Sequence, residues 1–199
     1  MLKTLFENQP DKPSLYCYAL RTTPTTVSIR HPNVQVDASR RRLSLSPLQR
    51  LRRLIKENDI HVLHCHLPRA MVFGALLKKL YFKNLVLILH EHGDIFEEKS
   101  LLPFCYRRMH SLANRIIACS DTAKRLLTQK AGVPPEKIQR IYSFVDTRAF
   151  NEIKLMGLRT DERMMAGLPR STFVFGFAAR LIQRKGWQEF LEAARYFKD

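Results

Sequence analysis

Histidines and cations are the residues in this sequence whose types and spacing could do chemistry. His64 and His66 close one apolar run, IHVLHCH, and His90 and His92 close another, LVLILHEH. Alternation along a strand puts His64 and His66 on the same side, and two such H-x-H pairs at the ends of neighbouring strands have a geometry that suits zinc or another divalent ion. No acidic ligand or further histidine stands at the end of a later strand. No metal ligand set is therefore assigned, and a histidine-site metal hydrolase is kept as an alternative.

The cations fall into two groups. In FGFAARLIQRKGW, Gly176 permits close backbone approach, Arg180 emerges at the carboxyl end of a strand, and Lys185 and Gly186 precede a helix. Two cations five residues apart across a tight loop, beside a helix amino terminus, make a phosphate or diphosphate clamp. The second group is Arg40, Arg41, Arg42, Arg50, Arg52 and Arg53 in RRRLSLSPLQRLRR, with no acid until Glu57. Such a cluster suits nucleic-acid phosphates or an anionic membrane surface, and a solvated basic face is the plainer reading. No aromatic residues are interleaved for base stacking, and no zinc-finger or RNA-recognition signature occurs, so nucleic acid is the weakest of these partners.

These residues must be held by regular elements, and the sequence supplies them in alternation. LYCYAL (Leu15 to Leu20) and NVQVD (Asn33 to Asp37) read as short strands, and Leu2 to Asn8 as the tail of a helix. In SPLQRLRRLIKEN, Ser46 can cap, Pro47 takes the first turn, and Leu48, Leu51, Leu54 and Ile55 share a face, which predicts a helix. Strands then follow at Ile60 to His66, Leu85 to His92 and Arg115 to Ser120, with a shorter one in IQRIYS. Helices starting at Pro68, running through Tyr106 and starting at Asp121 separate them. Strands apolar on both faces and separated by helices indicate an α/β fold, a Rossmann-like parallel sheet covered on both sides by helices. Ligands of such sheets gather at the carboxyl ends of the strands, where His66, His92 and Ser120 stand. From Val145 to Leu168 the chain is polar and helical. A strand (Thr172 to Ala179) and a helix (Trp187 to Phe197) then open a second unit. Trp187 reads as packing and Asp121 as a residue of a capped helix start.

Composition bounds the possibilities. The chain has 199 residues, 45% hydrophobic and 26% charged, which is an ordinary globular balance. Lys and Arg number 34 against 18 Asp and Glu, a formal charge of +16, which calls for an anionic partner. The longest apolar run, Ala70 to Leu77, stops at Lys78 and is too short to cross a bilayer. The amino terminus lacks the apolar core of a secretory signal. Cys17, Cys65, Cys105 and Cys119 are scattered without a C-x-x-C pair, as reduced thiols of a cytoplasmic protein are. No G-x-G occurs, so the chain reads as beginning inside the first helix of its first domain.

Five stretches, in order, resemble the retaining glycosyltransferases of family 4, whose GT-B fold faces two Rossmann-like domains across a cleft. They are HVLHCHLP, LILHEHGDIF, RIIACSDTAKRLL, the turn into IYSFVDTRAF, and FVFGFAARLIQRKGWQEFLEAA. The resemblance implies transfer of a hexose or related sugar from a nucleotide diphosphate sugar to a glycan or lipid-linked acceptor, with retention, as in glycan or lipopolysaccharide biosynthesis. It implies that Arg180, Lys185 and Gly186 bind the donor diphosphate, with no cofactor and no metal, because fixed cations stabilise the charge on the leaving group. His92, followed by Gly93, matches the family's cleft histidine, with His90 as the competing assignment. His66 and Ser120 are candidates for the acceptor side of the cleft, and an imidazole there can hydrogen-bond a sugar hydroxyl or a phosphate oxygen. Arg40, Arg41, Arg42, Arg50 and Arg53 would face an anionic surface, placing the protein in the cytoplasm or peripherally on the inner face of the cell membrane.

The sequence departs from the family at four points. Ser143-Phe144 stands where Asn-Gly is common, Ala179 replaces a glycine before Arg180, and both the paired-glutamate motif and the glycine-rich turn are absent. The expected organisation is an acceptor-side Rossmann-like domain over residues 1–150, incomplete at its start. Residues 151–199 are then a linker and the first βα unit of a truncated nucleotide-sugar domain, and the chain alone is expected to be inactive. The alternatives are a basic module that binds nucleic acid or a membrane surface, and the metal hydrolase.

Overall fold

The structure is a computed structural model that describes residues 15–20, 31–37, 45–93, 102–145, 147, 162–169 and 171–197. The chain divides into two compact units, residues 1–145 and 146–199. In the first, the elements run β1 (Cys17–Ala19), β2 (Val34–Val36), α1 (Ser46–Glu57), β3 (Val62–His66), α2 (Pro68–Leu80), β4 (Val86–Glu91), α3 (Leu102–Met109), β5 (Arg115–Ala118), α4 (Asp121–Ala131) and β6 (Ile138–Arg140). Strands β3, β4, β5 and β6 lie side by side in that order, all parallel, with one α-helix between each consecutive pair. The predicted strands and helices are therefore present, each one to three residues shorter at its ends. The helix tail expected at Leu2 to Asn8 lies outside the described residues.

One face of this sheet makes the main core. Cys65 from β3, Leu87 and Leu89 from β4, and Ile116 and Ala118 from β5 alternate onto it and meet Met71 and Ala75 of α2, Tyr106 and Met109 of α3, and Ala123, Leu127 and Ala131 of α4. Each large apolar side chain sealed there contributes roughly 1.5–3 kcal/mol. Helix α2 approaches closely because it carries Gly74. A Cβ at that position would stand 2.5 Å from Cys65 Sγ and 2.9 Å from Leu87 Cδ1. Helices α2, α3 and α4 thus cover this face. The other face carries His64, His66, Ile88 and His90, and its two valines, Val62 and Val86, are 51% and 37% exposed.

Helix α1 packs its apolar stripe, Leu51, Leu54 and Ile55, on Leu77 of α2 and on Leu85. Its start differs from the sequence expectation. Leu45 is the capping position, Ser46 is already helical, and no side chain caps the first turn, where Pro47 needs no partner for an N–H it lacks. Strands β1 and β2 form a separate parallel pair, joined to α1 through Asp37. The buried Asp37 carboxylate accepts hydrogen bonds from Tyr18 Oη at 2.5 Å and from Arg50 Nη1 at 2.8 Å. Burial and the Asp37 hydrogen bond together raise the pKa of the Tyr18 hydroxyl.

In the second unit, residues 162–165 form a single helical turn and α5 spans Trp187–Ala194. The strand expected over Thr172 to Ala179 does not form. A strand needs a neighbour for its N–H and C=O groups, and the described residues of this unit provide none. Phe173 and Phe175 stay 80% and 65% exposed, while Phe177 reaches Phe190 of α5 with ring centroids 5.4 Å apart. Trp187, read as packing, is half-buried.

Candidate functional site

The carboxyl ends of β3, β4 and β5 bring their chemistry-bearing side chains to one edge of the first unit. In register, His66 pairs with His90, and alternation puts His64, His66, His90 and His92 on the same side of the sheet. The four imidazoles form a contiguous group. His64 Nε2 lies 3.2 Å from His90 Nδ1, and His66 Nδ1 lies 2.8 Å from His92 Nε2. Ring centroids are 4.3 Å apart for His64 and His66 and 4.1 Å for His90 and His92. His64 is exposed, His66 and His92 are half-buried, and His90 is 5% exposed, so the group grades from solvent inward.

Burial first, and crowding second, set the charge of three of them. Burial, then the neighbouring His64, His90 and His92, lowers the pKa of His66 to about 3. His90 falls to about 4 for the same kinds of reason, burial first and then His92 and His64. His64 is lowered as well, by desolvation and by His92. At neutral pH these three rings are uncharged, each with one N–H to give and one lone pair to accept.

The opposite side of the strand ends holds the group in place. Glu91, between His90 and His92, turns into the core and is fully buried. Its carboxylate accepts from the Gly93 backbone N–H at 2.7 Å and from Tyr106 Oη at 3.1 Å, while the Tyr106 hydroxyl also lies 3.3 Å from Met71 Sδ. Gly93 takes φ 109°, a left-handed conformation that only glycine adopts readily. Neither Glu91 nor Tyr106 belongs to the histidine and cation groups that stand out in the sequence. The signal for Glu91 was available: an acid between two histidines at a strand end must face away from both. Tyr106 carried none, since a tyrosine on a helix is ordinary core material. After β3, Leu67 takes φ 72° and Pro68 opens α2.

Ser120 stands at the end of β5 as the cap of α4. Its Oγ accepts from the Ala123 N–H at 3.1 Å, and Asp121 in the first turn pairs with Arg140 at 3.0 Å. Ser120 thus shares the edge with the histidines while serving the helix. The basic residues are placed differently. Arg50 commits Nη1 to Asp37 although 57% of its side chain is exposed, Arg53 is exposed, and Arg52 lies over the Tyr81 ring at 4.0 Å. Arg40, Arg41 and Arg42 lie outside the described residues. No helix among the described residues is long and apolar enough to cross a membrane.

In the second unit, Arg180 and Lys185 are both exposed on one tight loop. The Ile182 N–H bonds the Arg180 carbonyl at 2.8 Å, and the Lys185 N–H bonds the Ile182 carbonyl at 2.9 Å. Residues Gln183–Lys185 make a 3-10 turn that ends at Gly186, with φ 71°, and Gly186 in turn starts α5. The loop therefore presents Arg180 and Lys185, with Arg184 between them, beside a helix amino terminus, an arrangement that can receive a phosphate group.

Comparison with known proteins agrees with this architecture. Three crystal structures of the Anabaena protein HepE, in complex with UDP-glucose, with UDP and glucose, and with UDP, are similar to the chain at 21% identity, with TM-scores of 0.58, 0.60 and 0.59. The matches cover 74%, 81% and 81% of this chain but 39%, 44% and 43% of HepE, so the chain spans about two-fifths of the length of those structures. No curated protein matches. The parallel sheet with its flanking helices is the Rossmann-like α/β architecture of GT-B glycosyltransferases. The family model for Glycosyltransferase Family 4 matches residues 6–149, a span that holds the whole four-stranded sheet and the histidine edge, and the chain belongs to that family.

Proposed function

We propose that the protein is a retaining glycosyltransferase that moves a hexose or related sugar from a nucleotide diphosphate sugar to a glycan or lipid-linked acceptor. The observation that carries this reading is the gathering of His66, His90, His92 and Ser120 at the carboxyl ends of three adjacent parallel strands, where Rossmann-like sheets bind ligands. The imidazole nitrogens at this edge that do not face another ring can bond sugar hydroxyls. His92 is the catalytic candidate and His90 the alternative, with His66 and Ser120 towards the acceptor.

The donor side of the reading rests on Arg180, Lys185 and Gly186. The guanidinium fork and the ammonium point charge suit the diphosphate, and the left-handed glycine keeps the loop tight before α5. Negative charge builds on the leaving diphosphate during transfer, and these cations would stabilise it without a metal. That HepE has been solved with UDP-glucose supports a nucleotide sugar as donor. Residues 1–150 are then assigned to the acceptor-side domain and 151–199 to the donor side, and transfer needs both. A cytoplasmic, membrane-peripheral location would match a lipid-linked acceptor and the basic face of α1.

Sugar transfer from UDP-glucose and related donors tests this in the enzyme that contains both domains. The double variant R180A/K185A is expected to lose at least about a hundredfold in turnover, as loss of charge stabilisation in a transition state does. Near-normal turnover overturns the donor assignment. Product with inverted anomeric configuration overturns retention.

A further inference from the structure

Four imidazoles packed at two strand ends exceed what a sugar-binding edge needs. His64 has no role in the proposed transfer, yet its ring stacks on His90 at an interplanar angle of 4° and its Nε2 points at His90 Nδ1. One ring nitrogen from each of His64, His66 and His90 lies within 4.8 Å of the other two.

We infer that His64, His66 and His90 form a binding site for a divalent transition metal ion of the kind imidazole prefers, zinc foremost. Three facts support it. The first is distance. Nitrogens bound to zinc at about 2.0–2.1 Å in a tetrahedron stand roughly 3.3–3.4 Å from one another. The 3.2 Å between His64 Nε2 and His90 Nδ1 is already such an edge, and rotation of the side chains closes the remaining separations.

The second is ligand state. Metal binding uses an imidazole lone pair, and each of these rings has a second nitrogen besides the one that faces a neighbouring ring. Imidazole lone pairs gathered in this way suit a divalent transition metal ion. His92 completes the arrangement from outside. With a proton on His66 Nδ1 donated to His92 Nε2 at 2.8 Å, the other nitrogen of His66 is left with its lone pair, the tautomer control usual for a metal-bound histidine.

The third is access. His64 is exposed and His90 buried, so an ion enters from the solvent side. Three histidines with an open position is a coordination set that zinc accepts.

Zinc binding to the full 199-residue chain, freed of metal with a chelator and kept reduced, tests the site by competition with a chromophoric chelator. The expected result is one zinc per chain. H64A removes an exposed ligand and should weaken affinity by at least about tenfold, and H64A/H90A by about a hundredfold or more. H61A, whose ring pairs with Asp59 outside the group, should bind as the wild type does. Cobalt substitution of the wild-type chain supplies a measurement that no variant can confuse, since a site with three imidazoles and one open position gives intense visible absorption. Absence of a saturable single equivalent overturns the site. So does H64A of unchanged helix content binding as tightly as wild type, or a cobalt spectrum identical to that of the free aquo ion. These readouts are independent of sugar transfer, so the site and the proposed activity can fail separately.

Discussion

Nδ1 of His66 and Nε2 of His92 stand 2.8 Å apart, a ring-to-ring hydrogen bond that joins the end of β3 to the residue after β4. Both rings belong to a crowded group, and protonation of His66 must disrupt it.

Acid is therefore expected to loosen the metal-free fold through these histidines. In the folded chain His66 is depressed to about 3 and His90 to about 4, whereas the unfolded chain takes up protons near the ordinary value of about 6.5. The unfolded state binds more protons between those values, so this contribution is intact above about pH 6.5 and is lost as pH falls towards 3. Urea midpoints measured in chelator from pH 7 downward should fall, and H66Q, which cannot take the proton, should fall less steeply. Parallel curves for wild type and H66Q would remove His66 from the explanation.

Gly74 fixes how closely α2 lies on β3 and β4. Its missing Cβ leaves room for Cys65 Sγ and Leu87 Cδ1, both part of the core. G74A should cost about 1–3 kcal/mol, the usual range for overpacking a filled interior. Chemical denaturation measures it, and a cost below about 0.5 kcal/mol would mean that the helix shifts freely.

Tyr106 supplies Glu91 with a hydroxyl donor inside the core. Y106F removes it with almost no change in volume, leaving a buried carboxylate short of one partner. A loss of about 1–3 kcal/mol is expected. Histidine ring signals of His90 and His92 in NMR spectra should move as well, because their positions share a strand end with Glu91. A stable Y106F with unmoved signals would show that Glu91 is held without the Tyr106 hydroxyl.

The basic face of α1 divides into a brace and a surface. Arg50 holds Asp37, so R50A should destabilise by about 1–3 kcal/mol, as loss of a charge-assisted bond to a buried carboxylate does. Arg53 is exposed, so R53A should change stability by no more than about 0.5 kcal/mol while lowering sedimentation with anionic vesicles. Equal sedimentation with neutral and anionic vesicles would take the membrane away from this helix.

Much of the fold was written in local pattern. The apolar runs ending at His66, His92 and Ser120 determine parallel strands because both faces of such a run need cover, and the Pro starts of α1 and α2, with Ser120 and Gly132 bounding α4, determine where helices begin and end. Those signals depend on neighbouring residues only, so one sequence suffices to read them. The same holds for the tight loop from Arg180 to Gly186. The strand expected over Thr172 to Ala179 marks the boundary of that logic, because a strand is completed by a partner that local sequence does not contain.

The site was legible as residue types and not as an arrangement. Alternation alone put His64 beside His66, but only the register between β3 and β4 sets His66 opposite His90 and brings three nitrogens within 4.8 Å. Likewise, Arg50 looked like its neighbours in an arginine run until the fold carried Asp37 to it. Composition and spacing determined which groups were present and on which side of each element they lay. Pairing between segments distant in the chain decided which of them touch, because register and the approach of a helix to a sheet are set by packing across the core, where a single missing Cβ at Gly74 decides how close the layers come.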